Sequence, residues 1–388
     1  MRFEGAYGNN RDVSAKDERL RVAVLDSIPT WGGGQKWDLE AALSLARRGH
    51  QVAIACARGS ALEARARSAG LPVWSARVGR LGWGLGSAFA LARFLRRERI
   101  ELVIGNVGRD LRLGALACPL AGAALLQRRG LLRPVRRGPW NRWIYGRTVR
   151  RVIVNSETLR RLLLESAPYL AGRVALLPNA VAPSASPGAG GERLRAELGI
   201  EAGVPLVGAV GRLTPMKGFA HLLDAWRLVL EKQPGARLVL FGDGELRGAL
   251  EAQTERLSLG ASVTFAGFRD DVAALYDACD VCVLPSVRDE SMSHALLEAL
   301  AHARPVVASE IAAAGLGRAR EVCRVVPAGD AHALASALAE LLGDRAARER
   351  LGQAGHALVL REHSPEAAAD RLEAILREAR SEQHRGEP

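Results

Sequence analysis

Two glutamates eight positions apart, Glu290 and Glu298 in ESMSHALLEAL, head the residues here whose type and spacing suit chemistry. Ser291 or Ser293 can cap a helix that starts at this point. Glu290 would then lie in the loop at the helix mouth and Glu298 inside the helix. Eight residues rising 1.5 Å each span roughly 12 Å if helical, enough to touch opposite ends of a nucleotide sugar. A carboxylate accepts two hydroxyl hydrogen bonds, so one suits a ribose diol and the other a hexose. Such spacing also arises by chance; the weight comes from its place directly after the apolar run VCVLPS.

Two more loops follow apolar runs and fall on the same rim. GRLTPMKG, residues 211–218, opens a helix and adds Arg212 and Lys217 to the backbone N–H groups around Gly211. Two cations beside a helix N-terminus suit a diphosphate. Taken singly, either cation reads as a solvated loop residue. FRDDV, residues 268–272, puts Arg269 near a nucleotide or, equally, in a salt bridge with Asp270 or Asp271.

The elements that must position these loops are short apolar strands alternating with longer helical patterns, the mark of parallel βα units. In the first half the strands are RVAVLDS, QVAIAC, LPVWSA, ELVIGN, ALLQR, RVIVNS and RVALLPN. After the Pro/Gly/Ser-rich SPGAGG the alternation restarts with VPLVGAVG, ARLVLFG, ASVTFAG, DVCVLPS, RPVVAS and CRVVP. The spacing predicts a flexible leader over 1–19, a first α/β domain over 20–182 and a linker over 183–203. A second α/β domain covers 204–362, and a helix over 363–388 returns to the first domain. Two doubly wound, Rossmann-like sheets place a ligand cleft between the domains, at the carboxyl ends of the strands.

The net charge of +12 is concentrated: from Arg109 to Arg151 there are eleven arginines and one acid, Asp110. This belt suits phosphorylated partners or an anionic membrane surface. Trp140, Trp143 and Tyr145 within it either stack on sugars, sit at a headgroup layer, or pack into their own domain. The five cysteines lie in apolar runs, as reduced thiols of a cytosolic protein do. Cys279 and Cys282 lack a second ligand pair and read as core, not metal. No run of about eighteen apolar residues is present to span a membrane. The location expected is cytoplasmic, with peripheral contact to the inner membrane face through the belt.

The chain resembles glycosyltransferase family 4, of retaining enzymes with the GT-B fold, among them transferases that build lipopolysaccharide and other surface glycans. GRLTPMKGF is similar to the family's G-R-L-x-x-x-K-G, GDGELR to its G-x-G-x-x-R/K, and Glu290 to Glu298 to its E-x7-E. ALARRGHQV resembles its R-G-H, LLPNAV its P-N-G-V, and GGGQKW its Gly-rich loop between donor and acceptor. The resemblance implies that Arg212 and Lys217 bind the donor diphosphate and assist the reaction, that Glu298 holds the ribose, and that Glu290 sits at the reacting face. It puts Gly33, Gly34, Gly211, Arg269, Ser293 and His294 on the donor side. Gly32, Gln35, Asn106, Arg109, Arg128 and Arg129 fall on the acceptor side. The expected partners are a nucleotide sugar and a glycan or lipid-linked acceptor, with no nucleic acid, no cofactor and no metal.

Two departures stand out. Asn106, Val107 and Gly108 stand where many relatives carry a histidine, leaving no side-chain base in the first domain. ESMS replaces the more usual E-G-F-G, which sets His294 beside the sugar site or leaves it an ordinary helix-start histidine. A sugar-nucleotide epimerase of the same fold and a non-catalytic donor-binding subunit are the alternatives. A dinucleotide oxidoreductase fits poorly, because GDGELRG is not a G-x-G-x-x-G and Asp243 would oppose a pyrophosphate.

Overall fold

The computed structural model describes residues 19–79, 82, 83, 85–136, 138–184 and 190–385. The expected leader therefore falls outside the described residues except for Arg19, as do residues 185–189 of the expected linker, Arg137 of the belt and the last three residues.

Each apolar run forms a strand. The first half contributes β1 (Arg21–Asp26), β2 (Gln51–Ala57), β3 (Val73–Ala76), β4 (Leu102–Gly105), β5 (Ala124–Arg129), β6 (Val149–Val154) and β7 (Val174–Leu176). They form one sheet in the order β3-β2-β1-β4-β5-β6-β7, and every pairing in it is parallel. The second half contributes β8 (Leu206–Val210), β9 (Arg237–Phe241), β10 (Val263–Gly267), β11 (Val281–Leu284), β12 (Val306–Ser309) and β13 (Cys323–Val326). Their order, β10-β9-β8-β11-β12-β13, repeats that of the first six strands, again all parallel. Strands sandwiched by helices on both faces must be apolar throughout, which is why these segments read as continuous runs. Each sheet accordingly has a hydrophobic core on either face. All five cysteines are free and buried in these cores.

In both sheets the chain reverses direction between the first strand and the fourth. That reversal opens a crevice beyond the strand ends, after β1 and β4 in one domain and after β8 and β11 in the other. This is the GT-B architecture: two Rossmann-like domains with a cleft between their rims.

The helix Arg345–Glu362 packs on the second domain, with Leu358 and Val359 in its core. The chain then crosses back where Val181 N–H donates to the His363 carbonyl, 3.0 Å away. The final helix, Pro365–Arg385, inserts Leu372, Ile375, Leu376 and Ala379 into the first domain's core beside Trp37, Leu45 and Ile54. Arg48 pairs with Asp370 at 2.6 Å, and Arg151 pairs with Glu382. The returning helix is therefore part of the first domain's core.

Leu376→Ala should cost about 2–5 kcal/mol of stability in urea unfolding, because the cavity opens between this helix and the sheet. Leu360→Ala, at a half-exposed position, should change it by less than about 0.5 kcal/mol.

Candidate active site

On the second domain's rim, the loop after β8 turns through a short 3-10 segment, Pro215–Lys217, into the helix Phe219–Lys232. Gly218 joins them at φ 70°, and a Cβ there would lie 2.0 Å from the Pro285 carbonyl oxygen. Only glycine lets this loop pass so close to the loop after β11. The approach is sealed by Val287 N–H donating to the Met216 carbonyl at 2.8 Å. Lys217 is thereby carried to Glu290, its Nζ lying 2.9 and 2.8 Å from the two carboxylate oxygens. The Ser286 hydroxyl donates to the same carboxylate at 2.6 Å. Arg212 is exposed and has no ion pair among the described residues.

Ser293, not Ser291, is the helix cap: its hydroxyl accepts from Leu296 N–H, and the helix runs His294–Ala301. Glu290 to Ser293 is thus non-helical chain that bends at Ser291 and Met292, so the span between the two glutamates is helical only in its second half. Glu298 lies one turn into the helix. Tyr276 donates to its Oε2 at 3.0 Å, and Lys36 of the first domain reaches its Oε1 at 2.5 Å.

On the opposite rim, Gly32–Gly34 lead into the helix Gly33–Arg47. A Cβ on Gly33 would come within 3.3 Å of the His294 ring, so this loop lies against the start of the second domain's helix. Beneath it sits a buried polar group. Asp26, at the end of β1, accepts from Gln35 at 2.8 Å and from Asn106 at 3.3 Å. The Asn106 amide also donates to both oxygens of Asp38, at 2.9 and 2.8 Å. Burial, reinforced by the neighbouring Asp26, pushes the Asp38 carboxyl well above the usual carboxylate range. The Arg128 guanidinium offsets this pair from 4.6 Å over the Trp37 ring and donates to Asn179 at 3.3 Å.

Three contacts close the domains on each other around residues 290–292. Leu131 and Glu290 form an antiparallel backbone bridge. Ser291 bonds Asn155 at 2.5 Å and Ser156 at 2.7 Å. Asn179 donates to the Met292 carbonyl at 3.0 Å. Next to them His294 has neither ring nitrogen hydrogen-bonded among the described residues. Burial, helped by the charges of Arg128, Lys36 and Lys217, pushes its pKa down to about 3.

The structure brings Gly33, Gly34, Arg128, Lys217, Glu290, Ser293, His294 and Glu298 to one cleft. Arg212 and Gly211 stand at its second-domain edge, and Gln35 and Asn106 form the floor on the other side. Arg109 donates to Ser27 at 2.7 Å beside that floor. Two residues are held in local pairs. Arg269 is forked between Asp271 and Glu197. Arg129 bonds the Tyr145 hydroxyl at 2.9 Å and the Arg133 carbonyl. Successive strand residues point to opposite faces, so Arg128 and Arg129 part company at the end of β5. Sequence reasoning missed Lys36, Asp26, Asp38, Tyr276, Asn155 and Ser156. Asp26 and Lys36 were findable, one ending the first strand and the other following the glycines; Tyr276 carried no such signal.

Residues 31–185 match the family model for Glycosyltransferase Family 4, and residues 204–344 match that for Glycosyl transferases group 1. The chain thus carries a Glycosyltransferase Family 4 domain followed by a Glycosyl transferases group 1 domain. Over 183 residues it is 34% identical to the lipopolysaccharide core biosynthesis glycosyltransferase LpsE of Rhizobium meliloti, covering 47% of this chain and 52% of that protein. It is 37% identical over 150 residues to a Mycobacterium leprae phosphatidyl-myo-inositol mannosyltransferase, covering 38% of this chain and 39% of the other. The chain spans about half the length, or less, of these curated relatives. In fold it is similar to Anabaena HepE in complex with UDP-glucose, at a TM-score of 0.80 and 22% identity, covering 93% of this chain and 100% of that one. WaaG, a glycosyltransferase involved in lipopolysaccharide biosynthesis, aligns at a TM-score of 0.66 and 18% identity, over 90% of this chain and 98% of that one.

The His294 environment has a thermodynamic consequence. The unfolded chain takes up the imidazole proton near its ordinary pKa, the folded chain only near 3. Between those values the unfolded state binds more protons, so stability drops as pH falls through that window. The midpoint of urea unfolding should therefore fall less steeply with acidification in His294→Asn than in wild type.

Proposed function

We propose that the chain is a retaining glycosyltransferase that moves a sugar from a nucleotide-diphosphate donor to a glycan or lipid-linked acceptor in bacterial surface polysaccharide or lipopolysaccharide synthesis. The observation that carries this reading is the meeting of Lys217–Glu290 and Glu298 with the Gly33 loop of the facing domain in one cleft. The two family-model matches support it. So do the similarity to a lipopolysaccharide core biosynthesis glycosyltransferase and to a phosphatidyl-myo-inositol mannosyltransferase, and UDP-glucose in the HepE neighbour.

In this reading the donor ribose lies against Glu298 and the diphosphate against Arg212, Lys217 and the N–H groups at the start of the helix Phe219–Lys232. Glu290 orients the sugar, and Ser293 and His294 line its pocket. Transfer breaks the bond from the anomeric carbon to the diphosphate oxygen and forms a bond to the acceptor oxygen on the same face. The acceptor hydroxyl proton passes to the departing phosphate, which is why Asn106 need not act as a base. Lys217 and Arg212 stabilise the charge gathering on the leaving group, so no divalent ion is needed for that role. The acceptor approaches over Gly32, Gln35, Asn106, Arg109 and Arg128. The arginine belt, with Trp140 and Trp143 stacked at 5.0 Å and exposed on its surface, lies on an anionic membrane face. No helix among the described residues is long and apolar enough to cross a membrane.

The test is a thermal-shift series with UDP, GDP, ADP and NAD on wild type and Glu298→Ala, with and without a chelator. One nucleoside diphosphate, at a hundred times its dissociation constant, should stabilise the wild type by about 2.7 kcal/mol. Glu298→Ala should lose that shift, and the chelator should leave it intact. A response to NAD alone would return the oxidoreductase reading, and an unchanged response in Glu298→Ala would remove Glu298 from the donor site.

A further inference from the structure

The cleft holds two glutamate–lysine pairs of different origin. Glu290 is neutralised from within its own domain, by Lys217 on the adjoining loop. Glu298 is neutralised from the opposite domain: Lys36, the fourth residue of the helix Gly33–Arg47, reaches its Oε1 at 2.5 Å. Lys36 follows the Gly32–Gly34 loop directly, and its backbone N–H donates to the Gly32 carbonyl at 2.9 Å. The ammonium is therefore anchored to the segment that lies against His294. Tyr276 holds the other Glu298 oxygen. A carboxylate offers about four lone-pair sites, so each oxygen keeps room for a hydroxyl while its present partner stays in place.

Charge gives this pair its role. On the donor reading above, on which the inference rests, Glu298 binds a diol only one ribose away from a diphosphate. A bare carboxylate there repels the phosphates, and that repulsion weakens slowly with distance in a cleft of low dielectric. We propose that Lys36 is the first domain's own donor-binding residue, neutralising Glu298 so that the diphosphate's charge is admitted when the two domains close on each other. The second domain by itself has the diol acceptor and two phosphate cations but lacks this third charge, so full donor affinity requires both domains. Burial works against the Lys36 charge, yet the charge and hydrogen bond of Glu298, together with the charge of Glu40, outweigh it and raise its pKa. Lys36 thus stays an ammonium wherever the enzyme operates.

The experiment is calorimetric titration of the full chain and of Lys36→Met and Lys36→Arg with UDP, GDP and ADP, each set beside its uncharged nucleoside. Lys36→Met should weaken the diphosphate that wild type selects by about tenfold while changing the matching nucleoside by less than about twofold. Its affinity should also depend less steeply on salt, and Lys36→Arg should keep most of the wild-type affinity. Unchanged diphosphate affinity in Lys36→Met would overturn the proposal. So would tighter binding, which would mean that Lys36 competes with the diol. Equal weakening of nucleoside and diphosphate would also overturn it, as the mark of a packing role. If wild type itself binds none of the diphosphates, the glycosyltransferase reading fails; if wild type binds and Lys36→Met is indifferent, only the role of Lys36 does.

Discussion

The site depends on one short stretch of backbone being gripped from the other domain. Residues 290–292 form a bent, non-helical link between the loop after a strand and the start of a helix. Across that stretch Leu131 pairs with Glu290, Asn155 and Ser156 hold Ser291, and Asn179 holds Met292. These are hydrogen bonds between largely buried groups, and each would leave an unsatisfied donor or acceptor if the domains slid apart. The grip fixes the register between the two rims. It sets Gly33 against His294 and Lys36 against Glu298, and everything proposed for the cleft follows from that register.

Within this frame the electrostatics are layered. The first domain buries two carboxylates, Asp26 and Asp38, at its topological switch point, tied through Asn106 and offset by Arg128. A buried pair of like charges is costly unless a proton or a cation relieves it, and here both the raised Asp38 pKa and the overlying guanidinium do so. The cluster pins the Asn106 amide and the Gln35 side chain, and so stiffens the floor under the Gly32–Gly34 loop. The second domain instead sets each of its two glutamates against a lysine. His294 between them is neutral and, among the described residues, has no hydrogen-bond partner, which leaves it free to give or accept one.

The returning helix explains how two separately built domains keep their register. Its apolar stripe completes the core of the first domain, while the preceding helix belongs to the second. The chain thus crosses between domains twice, near Val181 and near His363, and the two crossings are hydrogen-bonded to each other. A paired crossing ties the two domains together at one place on their boundary.

By itself the sequence determined the two-domain parallel architecture, because strands covered on both faces must be apolar without interruption and helices between them must be periodic. It also determined the loops that carry Arg212, Lys217, Glu290 and Glu298, since each follows such a strand and so falls on the carboxyl rim. Partner choice was decided only in three dimensions. Arg128 and Arg129 are neighbours in sequence, yet one enters the buried polar cluster and the other bonds Tyr145, because strand pleating sends them to opposite faces. Arg269 carries the charge of a phosphate ligand but finds Asp271 and Glu197 nearer. Lys36 and Glu298 are separated by 262 positions, and nothing local in either segment encodes the other. Their meeting depends on how the domains close, a property of the packed surfaces between them and not of any pattern along the chain.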